Sequence, residues 1–137
     1  MSCFDCYLIP VPAVRLEAYR RFSERMAVVY RDYGAVRLVD CMLDPDTADG
    51  SAFHADGAQS ALQDTVLRDF PAAAASREDE VVVLSWTEWP SKQARDEALP
   101  RVLADPRVQP DDGQETIFEG HRLVAGGFLT LLDMRSR

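Results

Sequence analysis

The chain has 137 residues, of which 47% are hydrophobic and 28% are charged, and its net charge is -8. This length fits a single domain, predicted over residues 1–137, with a core large enough to fold without a disulfide or a metal. The sequence contains no apolar run of membrane-spanning length and no secretory signal, and an acidic chain repels phosphate backbones. We therefore expect a cytoplasmic protein that binds neither nucleic acid nor membranes.

The first third of the chain predicts a strand, a helix and a second strand. Residues 3–10 form the first predicted strand, and Pro10 and Pro12 are expected to end it and start the helix. Apolar residues then recur at spacings of three and four, which indicates one buried helical stripe. They are Leu16, Tyr19, Phe22, Met26, Val29 and Tyr33. Gly34 is the expected helix end, and the second strand is predicted over residues 35–43.

Three cysteines occur, and two of them have the C-x-x-C spacing of redox proteins. A redox motif opens a helix, whose N-terminus lowers the pKa of a thiol. Cys3 and Cys6 instead lie within the first predicted strand, where residues three apart point to opposite faces. We interpret them as packing residues, and the odd count, completed by Cys41, argues against a disulfide framework.

Residues 44–79 form a long variable loop, with a short helix predicted over residues 58–69. A loop of this length is often functional, although an exposed and tolerant surface segment is the alternative. Its opening acids, Asp44, Asp46 and Asp49, resemble a calcium loop but have the wrong spacing. We interpret them as a solvated acidic turn, and no metal site is predicted.

The last third predicts a strand, a helix and a final strand. Residues 81–89 form the third strand, and Ser91 is the expected N-cap of the second helix. Pro100 lies inside that helix and should kink or break it. The last strand is predicted over residues 122–134, where Gly126 and Gly127 indicate a bulge or a close backbone approach.

The resulting order, βαββαβ, predicts an α+β domain with a four-stranded antiparallel sheet and both helices on one face. A strand with one solvated face should alternate apolar and polar residues. The third and fourth strands, VVVLSW and LVAGGFLTLL, are apolar on both sides. Something must therefore cover the second face of the sheet. We predict a second copy of the chain, hence a homodimer, with a folded-back 44–79 loop as the alternative.

Candidate site residues are few, and no fingerprint for a cofactor occurs. A pocket between sheet and helices would hold a small molecule, with Asp5 or Glu119 as acid or base. Its predicted ligand-binding residues are Tyr7, Trp86, Glu119, His121 and Arg122. A strand-edge salt bridge with a solvated histidine is the plainer interpretation of the last three. No catalytic residue is assigned.

The sequence resembles the family catalogued as domain of unknown function 1428. The resemblance rests on SWTEWPSKQARDEALPRVLADPRV, on FEGHRLVAGGF, and on the Tyr33-Gly34-Ala35 step. The family pattern has Asp and Lys where this chain has Glu119 and His121, and Pro100 also departs from it. The resemblance implies a ferredoxin-like dimeric α+β barrel and no established activity. A small-molecule-binding protein or cofactor-independent enzyme is one hypothesis, and a non-catalytic homodimeric interaction or stress-related protein is the other.

Overall fold

The computed structural model describes residues 1–46, 68–110 and 116–136. Its regular elements are β1 (Cys3–Pro12), α1 (Leu16–Asp32), β2 (Arg37–Met42), α2 (Phe70–Ala74), β3 (Glu80–Trp89), α3 (Lys92–Ala104) and β4 (Val124–Leu129). Short 3-10 turns lie at Ala13–Arg15, Pro106–Val108 and Gly120–Arg122. Within these ranges, no helix has the length and apolar character needed to cross a membrane.

The four strands form one antiparallel sheet in the order β2-β3-β1-β4. The predicted α+β class and antiparallel sheet are confirmed, and the strand order is consistent with a ferredoxin-like fold. Both long helices pack on the same face of this sheet, because Val29 of α1 and Val102 of α3 share a buried cluster with Trp89. We call this the helix face and the opposite one the open face.

Two local signals in the sequence set the ends of the helices. Gly34 has φ of 105° directly after α1, a left-handed conformation that glycine adopts without a Cβ penalty. The Ser91 hydroxyl accepts a hydrogen bond from the Ala94 amide at 3.0 Å and so caps the start of α3. Both boundaries agree with the predictions from the sequence.

The prolines behave differently from the predictions. Pro10 and Pro12 do not end β1, which continues to Pro12 opposite β3. β4 pairs with β1 only as far as Leu8, so beyond that point β1 is an edge strand, where a missing N–H is tolerated. Pro100 does not break α3, which runs through it to Ala104. Pro100 and Asp96 are both exposed, so water can reach the Asp96 carbonyl that loses its donor.

The last strand is shorter than predicted, and it contains no bulge. β4 begins at Val124, after the 3-10 turn, and ends at Leu129, opposite Cys3, the first residue of β1. Residues beyond Leu129 therefore have no neighbouring strand in the part of the chain that the structure describes. The close backbone approach is confirmed at Gly127, where an added Cβ would lie 2.5 Å from Arg95 Nη1. Most of the helix predicted at 58–69 lies outside the described residues.

The open face carries exposed apolar side chains. Phe128 is 57% exposed, Val124 48% and Leu84 38%. Among the described residues, Phe70 of α2 lies beside Leu84 and the buried Val82 at one end of this face, and Leu132 and Met134 lie near Phe4 and Trp86. The final part of the 44–79 connection thus packs on the sheet without covering most of it.

Candidate functional site

A pocket of about 190 Å³, partly open to solvent, lies between the helix face of the sheet and α1, and we call it the cavity. Its walls combine apolar groups with hydroxyl and phenol groups and one carboxylate. The polar members are Tyr7, Tyr19, Ser23, Tyr30, Asp40, Ser85 and Thr87. An apolar cavity with a few convergent polar groups is the usual form of a small-molecule site.

Asp40 is the one carboxylate among these groups. The Tyr19 hydroxyl donates to Asp40 Oδ2 at 3.0 Å, and the Ser23 hydroxyl donates to the same oxygen. Among the described residues, Oδ1 is the one buried side-chain oxygen or nitrogen without a hydrogen-bond partner. An unpaired buried acceptor costs about 1–3 kcal/mol, and more when it is charged. A ligand that donates a hydrogen bond to Oδ1 would therefore stabilise the folded protein.

The cavity has a neighbour on the protein surface. A cleft of about 480 Å³ runs between α1 and β2, and it contacts Asp40 from the outer side. The inner cavity and the outer cleft share four lining residues, Tyr19, Ser23, Leu38 and Asp40. The cavity and the cleft therefore meet at these four side chains.

The sequence places these groups through two simple periodicities. Tyr19 and Ser23 are four residues apart on α1 and lie on one helix face. Leu38 and Asp40 are two apart on β2 and point to the same face of the sheet. Asp40 also lies directly opposite Ser85 of β3. Ser23 and Asp40 were not predicted from the sequence; the available signal was an acid at a core-facing position of a strand.

The phenols of the cavity stay protonated. Burial raises the pKa of Tyr7, and the nearby Tyr30 and Asp5 add to the effect. Burial also raises the pKa of Tyr19, with a further contribution from the carboxylate of Asp40. The Tyr30 pKa is raised by burial as well. All three hydroxyls are thus neutral donors and acceptors near neutral pH.

The structure places the predicted residues Tyr7 and Trp86 on opposite faces of the sheet. Tyr7 lies opposite Ser85 and lines the cavity. Trp86 lies on the open face, where its ring meets Phe4 edge-on at 5.8 Å and the Arg37 guanidinium at 5.2 Å. The two side chains therefore do not line one pocket.

Arg122 and Glu119 come together at the end of the sheet, in contact with β3. Arg122 Nη1 and Nη2 donate to the two carboxylate oxygens of Glu80 at 2.6 and 2.8 Å. The same guanidinium donates to Glu119 at 2.9 Å and to the Ala75 carbonyl at 3.0 Å. Hydrogen bonds from Arg122 lower the pKa of Glu80 to about 2. His121 is exposed.

The arginine in this cluster is occupied by three protein acceptors, as a strand-edge salt bridge requires. That geometry matches the plainer of the two interpretations. A ligand-binding role for Glu119, His121 and Arg122 stays a prediction.

Asp5, the other predicted acid or base, belongs to a buried ion pair. Arg95 Nη1 donates to Asp5 Oδ1 at 2.7 Å, and Trp89 Nε1 donates to Oδ2 at 3.0 Å. This pair ties α3 to β1, and Arg95 also pairs with its neighbour Asp96 at 2.7 Å. Asp5 is 5% exposed and does not line the cavity.

Comparison with known proteins places this chain in a family. Residues 2–120 match the family model described as "Protein of unknown function (DUF1428)". The chain is also 33% identical to the "Uncharacterized protein YbaA" of Escherichia coli strain K12. The aligned 133 residues cover 97% of this chain and 99% of that relative. The same protein from Escherichia coli O157:H7 and from Shigella flexneri matches with equal identity and coverage. The chain therefore belongs to the DUF1428 family.

Proposed function

We propose that this protein binds a small molecule in the cavity between the sheet and α1, with Asp40 as its polar anchor. The observation that carries this proposal is the buried and unpartnered Oδ1 of Asp40 in the wall of that cavity. An unpaired buried acceptor lowers the stability of the fold. A ligand that donates a hydrogen bond to Oδ1 would remove this cost.

The size of the cavity limits the ligand. A dry protein cavity of about 150 Å³ accepts benzene. The space here is about 190 Å³, enough for a single ring with a short polar substituent. Apolar side chains of Ile9, Met26 and Leu38 would contact the ring, and Asp40 would accept from the substituent. A cofactor-independent enzyme is the extension of this proposal, with Asp40 as the proton acceptor.

A thermal-shift screen with benzyl alcohol, phenol and aniline tests this proposal. A ligand that binds only the native state raises the melting temperature with concentration. We expect at least one of these compounds to raise the melting temperature of the native chain. We also expect Asp40→Asn to abolish that rise, because an amide replaces the free carboxylate.

Glu78→Gln is the matched control for loss of one negative charge, because Glu78 is exposed beyond α2 and away from the cavity. It should respond like the native chain. If every compound leaves the melting temperature of all three proteins unchanged, the cavity holds water alone and the proposal is wrong.

The exposed apolar residues of the open face favour a second function, assembly with another copy. We propose a ferredoxin-like dimeric α+β barrel in which two open faces pack together. The residues that support it are the exposed Val124 and Phe128 of β4 and, in the segment after it, Leu131, Leu132 and Met134. Burying such side chains contributes about 25 cal/mol per Å². The three free cysteines fit a reducing compartment, in line with a cytoplasmic homodimer.

Light scattering at micromolar concentration tests the dimer. We expect a mass twice the 15.3 kDa of one chain. Phe128→Asp should shift the mass toward one chain, because it places a charge within the apolar face. Val14→Asp is the control, since Val14 is 93% exposed in the 3-10 turn before α1 and lies outside that face. A native mass of 15.3 kDa would contradict the dimer and favour an uncovered monomer.

A further inference from the structure

We infer that the ligand of this cavity is a small organic ammonium ion. This inference rests on the proposed function and deepens it by naming the ligand class. Three features of the cavity carry it: the charge of its lining, its aromatic content, and the position of Ser85 beside Asp40.

The lining has a negative charge that no cationic side chain balances. Asp40 is its only acidic member, and no lysine, arginine or histidine of the described chain lines the cavity. The two donors to Asp40, Tyr19 and Ser23, are neutral hydroxyl groups and both reach Oδ2. An anionic ligand would be repelled here, whereas a cation gains a charge-assisted hydrogen bond at Oδ1.

Aromatic rings form much of the remaining wall. Five line the cavity: Tyr7, Tyr19, Phe22, Tyr30 and Phe118. Three of them form a cluster, with ring centroids 6.0 Å apart for Tyr19 and Phe22, and 5.7 Å apart for Phe118 with each of the other two. Aromatic rings around a single acceptor attract ammonium groups through their negative faces. Tyr19 belongs to both parts, because its ring is in the cluster and its hydroxyl contacts Asp40.

Ser85 gives the ammonium group a second acceptor. It lies directly opposite Asp40 on the neighbouring strand, and both residues line the cavity. Side chains that face each other across two strands have Cβ atoms roughly 5 Å apart. An ammonium group carries several N–H donors, so it can donate to Asp40 Oδ1 and to Ser85 Oγ together. A hydroxyl group has one donor and can satisfy only one of them.

Titration calorimetry with benzylamine and benzyl alcohol separates the charged ligand from the neutral one. The two probes share a ring and differ in the donor group. We expect benzylamine to bind the native protein at least about tenfold more tightly, because a charge-assisted hydrogen bond is roughly twice as strong as a neutral one. Asp40→Asn should reduce benzylamine affinity to that of the alcohol, and Glu78→Gln should leave it unchanged. Ser85→Ala should weaken benzylamine more than benzyl alcohol.

The outcomes distinguish the inference from the proposal beneath it. The ammonium assignment would be overturned if the alcohol bound as tightly as benzylamine, or more tightly. If Asp40→Asn also abolished that binding, the small-molecule site would remain intact. Binding of benzylamine that Glu78→Gln weakens as much as Asp40→Asn would show attraction to the acidic chain as a whole, and would also overturn it. No binding of either probe would overturn both. Far-ultraviolet circular dichroism of each variant checks that the fold is retained.

Discussion

Asp5 and Asp40 are two carboxylates on the helix face of one sheet, and their oxygens have different partners. Asp5 lies on the central strand β1, and each of its oxygens accepts from a side chain, one from Arg95 and one from Trp89. Asp40 lies on the edge strand β2, where two hydroxyls share one oxygen and the other has no partner in the described chain. The first is buried in packed protein, and the second borders a cavity.

The difference separates acids that an arginine pairs from the one acid that we propose as a ligand anchor. Other buried acids follow the Asp5 pattern: Glu80 pairs with Arg122, and Asp105 pairs with Arg107 and Tyr33. At Glu80 the Arg122 guanidinium joins two segments of the chain, and at Asp105 the Tyr33 hydroxyl does so. Asp40 is the exception, since its neighbours donate without neutralising its charge. Under the proposed function, the paired acids stabilise the fold and Asp40 binds the ligand.

Loss of the Asp5 carboxylate has the largest expected effect on stability. Asp5→Ala leaves the Trp89 indole without its acceptor and Arg95 without its buried partner, so the free energy of unfolding should fall by about 3 kcal/mol. Urea unfolding followed by fluorescence measures this. Glu97→Ala is the control on α3, where an exposed side chain contacts Gln93, and should cost less than about 0.5 kcal/mol. Equal losses for the two variants would contradict a structural role for the ion pair.

Crowding the Asp5–Arg95 ion pair should lower the free energy of unfolding less than removing it does. In Gly127→Ala the new Cβ would lie 2.5 Å from Arg95 Nη1 and 3.2 Å from Asp5 Oδ1. Because the pair must shift, we expect a loss of about 1–3 kcal/mol in urea unfolding. Gly126→Ala is the matched control, since its Cβ would meet only the Phe128 ring at an ordinary 3.5 Å. A larger loss for Gly126→Ala would break this account of the glycine pair.

The contribution of the Glu80–Arg122 pair to the free energy of unfolding should be smaller than these losses, and it should change only at acid pH. The pKa of Glu80 is lowered from 4.5 to about 2, so its contribution is complete above pH 4.5 and is lost as the pH falls toward 2. Unfolding free energy measured across that window should fall more steeply for the native chain than for Glu80→Gln. Parallel curves would mean that the Arg122 pair contributes nothing that depends on pH.

Much of the fold follows from the sequence, because its signals are local. The helical stripe, Gly34 and Ser91 fix α1 and the start of α3. Successive side chains of a strand point to opposite faces, so Trp86 and Trp89, three apart on β3, lie on opposite faces, and Trp89 is fully buried on the helix face. Pro100 was misjudged because the cost of a proline depends on solvent at the Asp96 carbonyl, which no local pattern reveals.

The candidate site was harder to predict, because it forms from residues distant in sequence. Asp40 lies 21 residues after Tyr19, and Ser85 lies 45 residues after Asp40. In the sequence Arg37-Leu38-Val39-Asp40, the acid could equally have faced solvent. Only the packing of α1 over β2 shows that it faces inward with one oxygen unpaired. Tyr7, a candidate from the sequence, lines the cavity, and its ligand-binding role stays a prediction.

The smallest effect on stability, and the most direct test of the central claim, comes from Asp40→Asn. The amide oxygen can still accept from Tyr19 and Ser23, and the buried charge is removed, so the melting temperature without ligand should stay equal or rise. The same variant should lose the rise that benzylamine gives the native chain. These two results together would show that Asp40 serves ligand binding rather than folding. A clear fall in melting temperature without ligand, with the benzylamine response unchanged, would contradict the account.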